Sequence, residues 1–327
     1  MARERIVVET SEAQKAALAE RLGLQGESFA TWVEDHIEAE LPRRAVTDDV
    51  TDTPLSVSEL LDSARVFDTL NAVDWAFTND DTRYLTHDLH PYPAKFPPQI
   101  PAELIRRLSL PGDLVFDPFG GSGTTAVEAV RQRRRACSLD ANPLSALIGR
   151  VKSAPLASEA AIELDALRVT VDSYIANAGS KGTNWSEGLI AKHAGLIPDI
   201  PNLEKWFCTA AIGELALLRH LIGSLTSASA QDAALLSLAR IVTRVSNQDS
   251  ETRYVAHPKD LKAGLTLRAF NESLRMVARK LEVSAPALTG ASVSFAHGDA
   301  RTSIVTELQP ASVDLIVTSP PYPNATD

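Results

Sequence analysis

The sequence is poor in sulfur: its 327 residues include two cysteines and two methionines. Cys137 and Cys208 have no Cys or His neighbours at metal-ligand spacing, which excludes a disulfide framework and a structural zinc site and predicts a reducing compartment. No metal is expected. Long apolar runs are missing as well. No stretch approaches the roughly 18 apolar residues of a membrane span, and the charged start MARERIVVET lacks the apolar core of a signal peptide. These absences predict a cytoplasmic protein without membrane attachment. Two common nucleotide signatures, Gly-x-Gly-x-x-Gly and Gly-Lys-Ser/Thr, do not occur either.

What remains is typical of a globular chain, with 44% hydrophobic and 23% charged residues. The length suits about two domains, or one with large additions. The net charge of −10 is unevenly spread. Residues 1–82 hold 7 Lys and Arg against 18 Asp and Glu, whereas residues 83–327 hold 25 against 24. The acidity therefore belongs to the N-terminal part and leaves a DNA partner open. The basic run Arg131, Arg133, Arg134 and Arg135 either meets phosphates or forms a solvated helix end.

Residues 5–9 read as a strand, followed by helices to about Leu22 and from about Ser28 to Leu41, the second with Phe29, Trp32, Val33, Ile37 and Leu41 on one face. This order over 1–42 resembles the ribbon-helix-helix family, which implies dimerisation; a small helical appendage fits the same pattern. Residues 43–58, rich in Thr, Asp and Pro, read as a linker, and the main domain is expected to run from 59 to 327. There the spacing predicts strands at 113–117, 135–140, 292–296 and 313–318 with a helix over 124–133. Helices are expected at 158–177, 203–226, 231–246 and 265–282, with no strand between them. The fold class is thus α/β, a sheet interrupted by a helical insertion at about 153–290, with the four strands in spatial order 3-2-1-4.

The strongest local signal is Asp117-Pro118-Phe119-Gly120-Gly121-Ser122-Gly123-Thr124-Thr125, between an apolar strand and a helix. Glycines there let a ligand approach the backbone, and Asp140, 23 residues after Asp117 at the end of the next strand, suits ribose hydroxyls. A second signal is Thr318-Ser319-Pro320-Pro321-Tyr322, where two prolines force a rigid exit from a strand. Together these stretches resemble the amino-methylating DNA methyltransferases. The resemblance covers about 83–152 and 290–327 and implies a Rossmann-like domain binding S-adenosylmethionine, with DNA as partner. It implies cofactor contacts from Asp117, Pro118, Phe119, Gly121, Gly123, Thr124 and Asp140. Catalysis falls to Ser319, Pro320, Pro321 and Tyr322, and Thr before Ser is most like enzymes acting on cytosine N4. Methylation of adenine N6 is the alternative. Attack through a ring carbon needs a cysteine after a proline, and neither cysteine follows one.

Two further stretches extend the resemblance. His90-Pro91-Tyr92-Pro93-Ala94-Lys95-Phe96-Pro97-Pro98 is similar to the segment closing over the cofactor's methionine end, which gives Lys95 and Phe96 cofactor roles; it also reads as a proline-rich loop packed by Tyr92 and Phe96. Asp299 matches the acid placed near the adenine amine. Within the insertion, residues 246–254 form a polar stretch in which Asn247, Gln248 and Arg253 are candidates for reading base edges, or else make an interhelical loop. The sequence stops five residues past Tyr322, which predicts a truncated or split enzyme with an open sheet edge that a second polypeptide completes, or else a homodimer through the N-terminal module. Two rival readings are a tRNA guanine N2-methyltransferase, against which Ser319 counts, and an inactive DNA- or partner-binding fragment.

Overall fold

In the computed structural model, the chain divides into two compact units, Met1–Thr51 and Asp52–Asp327. The structure describes residues 55–60, 62–92, 95, 97–178, 184–250, 253–302, 308–309 and 311–319. The N-terminal module expected over 1–42 lies outside the described residues, as do Phe96, Pro320, Pro321 and Tyr322. Packed structure already reaches Leu55, four residues ahead of the expected domain start. Its side chain is buried and its N–H donates to the Arg107 carbonyl at 3.2 Å.

Helices α1 (Val57–Leu60), α2 (Ser63–Asn71) and α3 (Gln99–Leu108) precede the sheet. Then come β1 (Leu114–Asp117), α4 (Thr124–Arg131), β2 (Arg135–Asp140) and α5 (Pro143–Ser153). The insertion contributes α6 (Ser158–Ala178), α7 (Asn184–Lys192), α8 (Leu203–Trp206), α9 (Thr209–Gly223) and α10 (Ala228–Val245). It continues with β3 (Gln248–Ser250), β4 (Arg253–Ala256) and α11 (Leu265–Ser284). The chain then returns to the sheet through β5 (Val293–His297) and β6 (Leu315–Ile316).

The four sheet strands are parallel in the order β5-β2-β1-β6, which is the expected 3-2-1-4. Two arguments explain why these short runs form the interior of a sheet. Leu114, Val115, Ala136, Cys137 and Leu139 are all buried, as strands covered on both faces require. Helices α4 and α5 follow β1 and β2 directly, as parallel pairing demands. Because the strands run the same way, the ends of β1, β2, β5 and β6 open onto one edge, where ligands bind in open α/β folds. This is a Rossmann-like α/β fold.

The helices of the insertion bury Leu164, Leu167, Val171, Leu217, Leu236, Phe270 and Leu274 in one cluster with Leu89 and with Ile148 and Val151 of α5. Some helix starts are capped by a neighbouring side chain. Asn142 and Ser227 accept the Leu144 and Ala230 N–H groups as N-caps of α5 and α10. The start of α11 is capped from a distance: the buried Glu214 carboxylate of α9 accepts the N–H groups of Gly264, Thr266 and Leu267. Burial pushes the Glu214 carboxyl up, against the pull of those donors.

Three expectations are corrected. The helix expected over 203–226 breaks at Phe207, whose backbone is extended, so Cys208 is a half-buried N-cap position and not part of a helical core run. The stretch without strands contains the antiparallel hairpin β3–β4, with an irregular register between Gln248 and Ser250. The strand expected over 313–318 is paired only at Leu315 and Ile316. Among the described residues, no helix is long and apolar enough to cross a membrane.

Candidate cofactor and catalytic site

β1 ends at Asp117 and the chain turns through Pro118–Gly123 into α4. The Asp117 carboxylate accepts the Phe119 N–H at 3.1 Å, Gly120 N–H donates to the Leu139 carbonyl at 2.9 Å, and Gly123 N–H closes the turn on the Gly120 carbonyl at 2.7 Å. Two positions require glycine. A Cβ at Gly120 would lie 2.9 Å from Ser138 Cβ. At Gly123, φ is +75° and a Cβ would come within 2.8 Å of Gly149 Cα. Thr124 is buried at the first position of α4.

Asp140, at the end of the neighbouring strand, accepts the Gly121 N–H at 2.8 Å and the Asn142 N–H at 2.8 Å. A carboxylate has about four acceptor sites, so two remain for a ligand hydroxyl pair. Phe119 is 36% exposed, an apolar ring uncovered at the strand edge. A turn that demands glycine, an under-used carboxylate and an exposed aromatic ring fit a nucleoside cofactor held by its ribose and base.

Asp117 itself is buried. Burial pushes its carboxyl up to about 6, while the facing hydroxyls of Thr318 and Thr125 and the Phe119 N–H pull the other way. Thr318 follows β6, the strand beside β1. There the Val317 N–H donates to the Phe116 carbonyl at 3.1 Å, and the Thr125 hydroxyl donates to the Val317 carbonyl at 3.4 Å. Ser319, half-buried, thus leaves the sheet directly beside the glycine turn. The structure brings the two strongest sequence signals to adjacent strand ends.

The closing segment packs partly as expected. Tyr92 lies against the turn: a Cβ at Gly121 would sit 3.6 Å from its ring, and its hydroxyl is 2.8 Å from Ser145 Oγ. Lys95 donates to the His87 carbonyl at 2.9 Å, which leaves two of its three N–H donors for a ligand carboxylate. Asp299 lies just beyond β5, where Gly298 N–H donates to the Asp140 carbonyl at 2.9 Å. Its carboxylate is partly exposed and held by the Arg301 guanidinium at 2.6 Å, which keeps its pKa down to about 2.

Other candidates fall away from this edge. Of the arginine run, buried Arg134 donates to Ser109 Oγ and the Gln132 carbonyl, whereas Arg131, Arg133 and Arg135 are exposed, Arg131 pairing with Glu128 at 2.7 Å and Arg135 donating to the Gly112 carbonyl. Asn247 is buried with both ends of its amide occupied, its Nδ2 donating to the Lys205 carbonyl at 2.9 Å and its Oδ1 accepting the Lys259 N–H at 2.8 Å. It stitches the β3–β4 hairpin to α8. Gln248 lies in β3 and Arg253 in β4.

Sequence reasoning missed a buried polar network beneath the turn. Glu128 of α4 accepts from Tyr84 Oη at 2.7 Å and faces His87 Nε2 at 2.8 Å, with all but Tyr84 buried. Burial holds the His87 imidazole below its usual range and pushes the Tyr84 phenol up, whereas its partners hold Glu128 low against burial. Lys152 of α5 is wholly buried and donates to the Ser122 carbonyl at 2.7 Å. Helical spacing offered a signal: Ser145, Ile148, Gly149 and Lys152 recur on one face, all buried.

Parallel sheet order and glycine turn define a class, the Rossmann-like domains that hold a nucleoside cofactor at the strand ends. Comparison with known proteins narrows it. Residues 24–148 match the family model described as DNA methylase. The type II methyltransferase M.MvaI of Kocuria varians is 27% identical over 174 residues, 52% of this chain and 37% of that protein. M.MjaII of Methanocaldococcus jannaschii is 36% identical over 81 residues, 25% of this chain and 15% of that protein. M.PvuII of Proteus hauseri is 46% identical over 52 residues, 16% of each. The matched stretch thus spans little more than a third of the longest-matching of these relatives. No solved structure matches at a significant level. Over these stretches the chain is similar to DNA methylases and to type II methyltransferases.

Proposed function

We propose that this chain carries the cofactor turn and catalytic loop of a DNA methyltransferase that methylates an exocyclic base amine, cytosine N4 ahead of adenine N6. The observation that carries the reading is the adjacency of Asp117 and Thr318-Ser319 at the ends of neighbouring parallel strands. The preference for cytosine rests on Thr before Ser in the loop. S-adenosylmethionine, when bound, supplies an electrophilic sulfonium methyl group.

Asp140 receives ribose hydroxyls, Phe119 covers the base of the cofactor, and Asp299 takes its amine once turned from Arg301. Lys95, with Phe96, meets the methionyl carboxylate. An exocyclic amine is a weak nucleophile because its lone pair is delocalised into the ring. The Ser319 hydroxyl and the Pro320 carbonyl accept its two N–H bonds, which favours a pyramidal nitrogen, and fixing that nitrogen in line is much of the catalysis. Pro321 keeps the loop rigid, and Tyr322 offers a ring face to a base whose extrusion from the duplex costs a few kcal/mol.

The test is mass spectrometry of nucleosides from DNA incubated with the chain and S-adenosylmethionine, beside Ser319→Ala. N4-methylcytosine that disappears in the variant is expected while cofactor binding persists. No methylated base, or equal methylation by the variant, overturns the reading.

A further inference from the structure

We propose that Lys152 is a positioning residue for the glycine turn: its buried ammonium holds the Ser122 carbonyl and so fixes the shape in which the turn receives the cofactor. The proposal rests on reading that turn as the S-adenosylmethionine site. The turn contains three glycines, and glycine peptides rotate readily between left- and right-handed conformations. Something outside the turn must restrain them. The peptide joining Ser122 and Gly123 is gripped at both ends, its oxygen by Lys152 Nζ at 2.7 Å and its N–H by the Gly120 carbonyl at 2.7 Å. The preceding glycine peptide is held by Asp140 through the Gly121 N–H at 2.8 Å. Lys152 and Asp140 therefore hold the turn at two of its peptides, and only the second was legible as part of a cofactor motif.

Lys152 is an expensive way to hold one carbonyl. It is among the largest fully buried side chains, and burial pulls its amine down to about 7, a cost that leaves the hydrogen bond to the carbonyl as what the nitrogen supplies. The charged groups facing it are Asp88 and Lys95 on the segment before α3 and Glu128 on α4. The same segment is tied to the end of α5 by the Thr86 hydroxyl, which donates to the Lys152 carbonyl at 2.7 Å. Lys152 thus joins the floor of the turn to the strap that carries Tyr92 and Lys95 over it.

The experiment uses the full chain as wild type, Lys152→Met and Lys152→Gln. Three quantities are measured: thermal stability, amide hydrogen exchange at residues 120–124 without cofactor, and S-adenosylmethionine affinity by calorimetry. The Met variant is expected to melt lower than wild type, since the buried Ser122 carbonyl loses its donor. Its turn should exchange, and its cofactor dissociation constant should rise, by about tenfold or more, the loss of one charge-assisted hydrogen bond. Gln, which keeps a donor, should recover part of both, and it carries the comparison if the Met variant does not fold. Unchanged exchange and affinity in a folded variant, with wild-type binding intact, overturn the role of Lys152 alone. A wild type that binds no S-adenosylmethionine overturns the cofactor reading and this role with it.

Discussion

Replacing Asp117 with Asn removes a carboxylate that the fold holds at a cost. Burial raises the group from 3.8 to about 6, a difference worth on the order of 3 kcal/mol between the two protonation states. Because the folded value lies above the unfolded one, the folded chain binds the proton more tightly. The group therefore favours folding fully below about pH 4 and loses that contribution as pH rises through about 6. Asparagine keeps an oxygen for the Phe119 N–H and has no charge to bury. Relative to wild type, Asp117→Asn should gain stability progressively between about pH 4 and pH 7, by on the order of 3 kcal/mol at the top of that range. Paired urea titrations across the interval measure this. Glu128, His87 and Glu214 titrate in both proteins, so their contributions cancel in the difference. A flat difference from pH 4 to 7 would refute the argument that Asp117 is desolvated.

Two other substitutions separate turn geometry from insertion chemistry. Gly123→Ala forces a side chain onto a backbone with φ of +75° and drives its Cβ within 2.8 Å of Gly149 Cα. Left-handed strain alone costs about 1–2 kcal/mol. Thermal melts should show at least that loss, and calorimetry a loss of S-adenosylmethionine binding; an unaltered melting temperature would contradict the described turn. Asn247→Ala leaves the Lys205 carbonyl and Lys259 N–H without their partner, and urea unfolding should fall by about 1–3 kcal/mol. Duplex DNA affinity by fluorescence anisotropy should stay within about twofold of wild type, since a 1.4 kcal/mol loss is what a tenfold change requires. A larger loss of affinity at unchanged stability would return Asn247 to the role of a base reader.

Much of the sheet was legible because its signals are local. The apolar runs around Val115 and Cys137 are buried on both faces, and the turn between them demands glycine for steric reasons visible in the letters alone. Helices of the insertion were placed within a few residues where one apolar face repeats, as in α6 and α11. The break at Phe207 was not legible, because Trp206, Phe207 and Cys208 continue the apolar pattern while the backbone turns extended. Nor was the β3–β4 hairpin, whose polar residues show no alternation. What holds it is the Asn247 amide bonding to Lys205, 42 residues away, and no local pattern encodes a partner at that separation.

Roles of charged residues were the least legible, because a charge in a sequence says nothing of which sheet edge or which depth it occupies. The arginines at 131–135 stand close in sequence to Asp140, yet they lie where β2 begins and Asp140 where it ends. At about 3.3 Å per residue, five residues separate the two edges by roughly 17 Å. Parallel strands put Asp117, Asp140 and Thr318-Ser319 on the far edge, whereas at the near edge Arg131, Arg134 and Arg135 make carbonyl and carboxylate contacts. Depth misleads in the same way. Lys152, Glu128 and Glu214 read as solvent residues by type, yet each is fully buried with a backbone or side-chain partner. A burial cost of this kind is offset only where the charge holds something that apolar packing cannot hold. In α5 that something is a carbonyl of the glycine turn, so the buried charge and the cofactor loop are parts of one device, and a test of either is a test of how the loop keeps its shape.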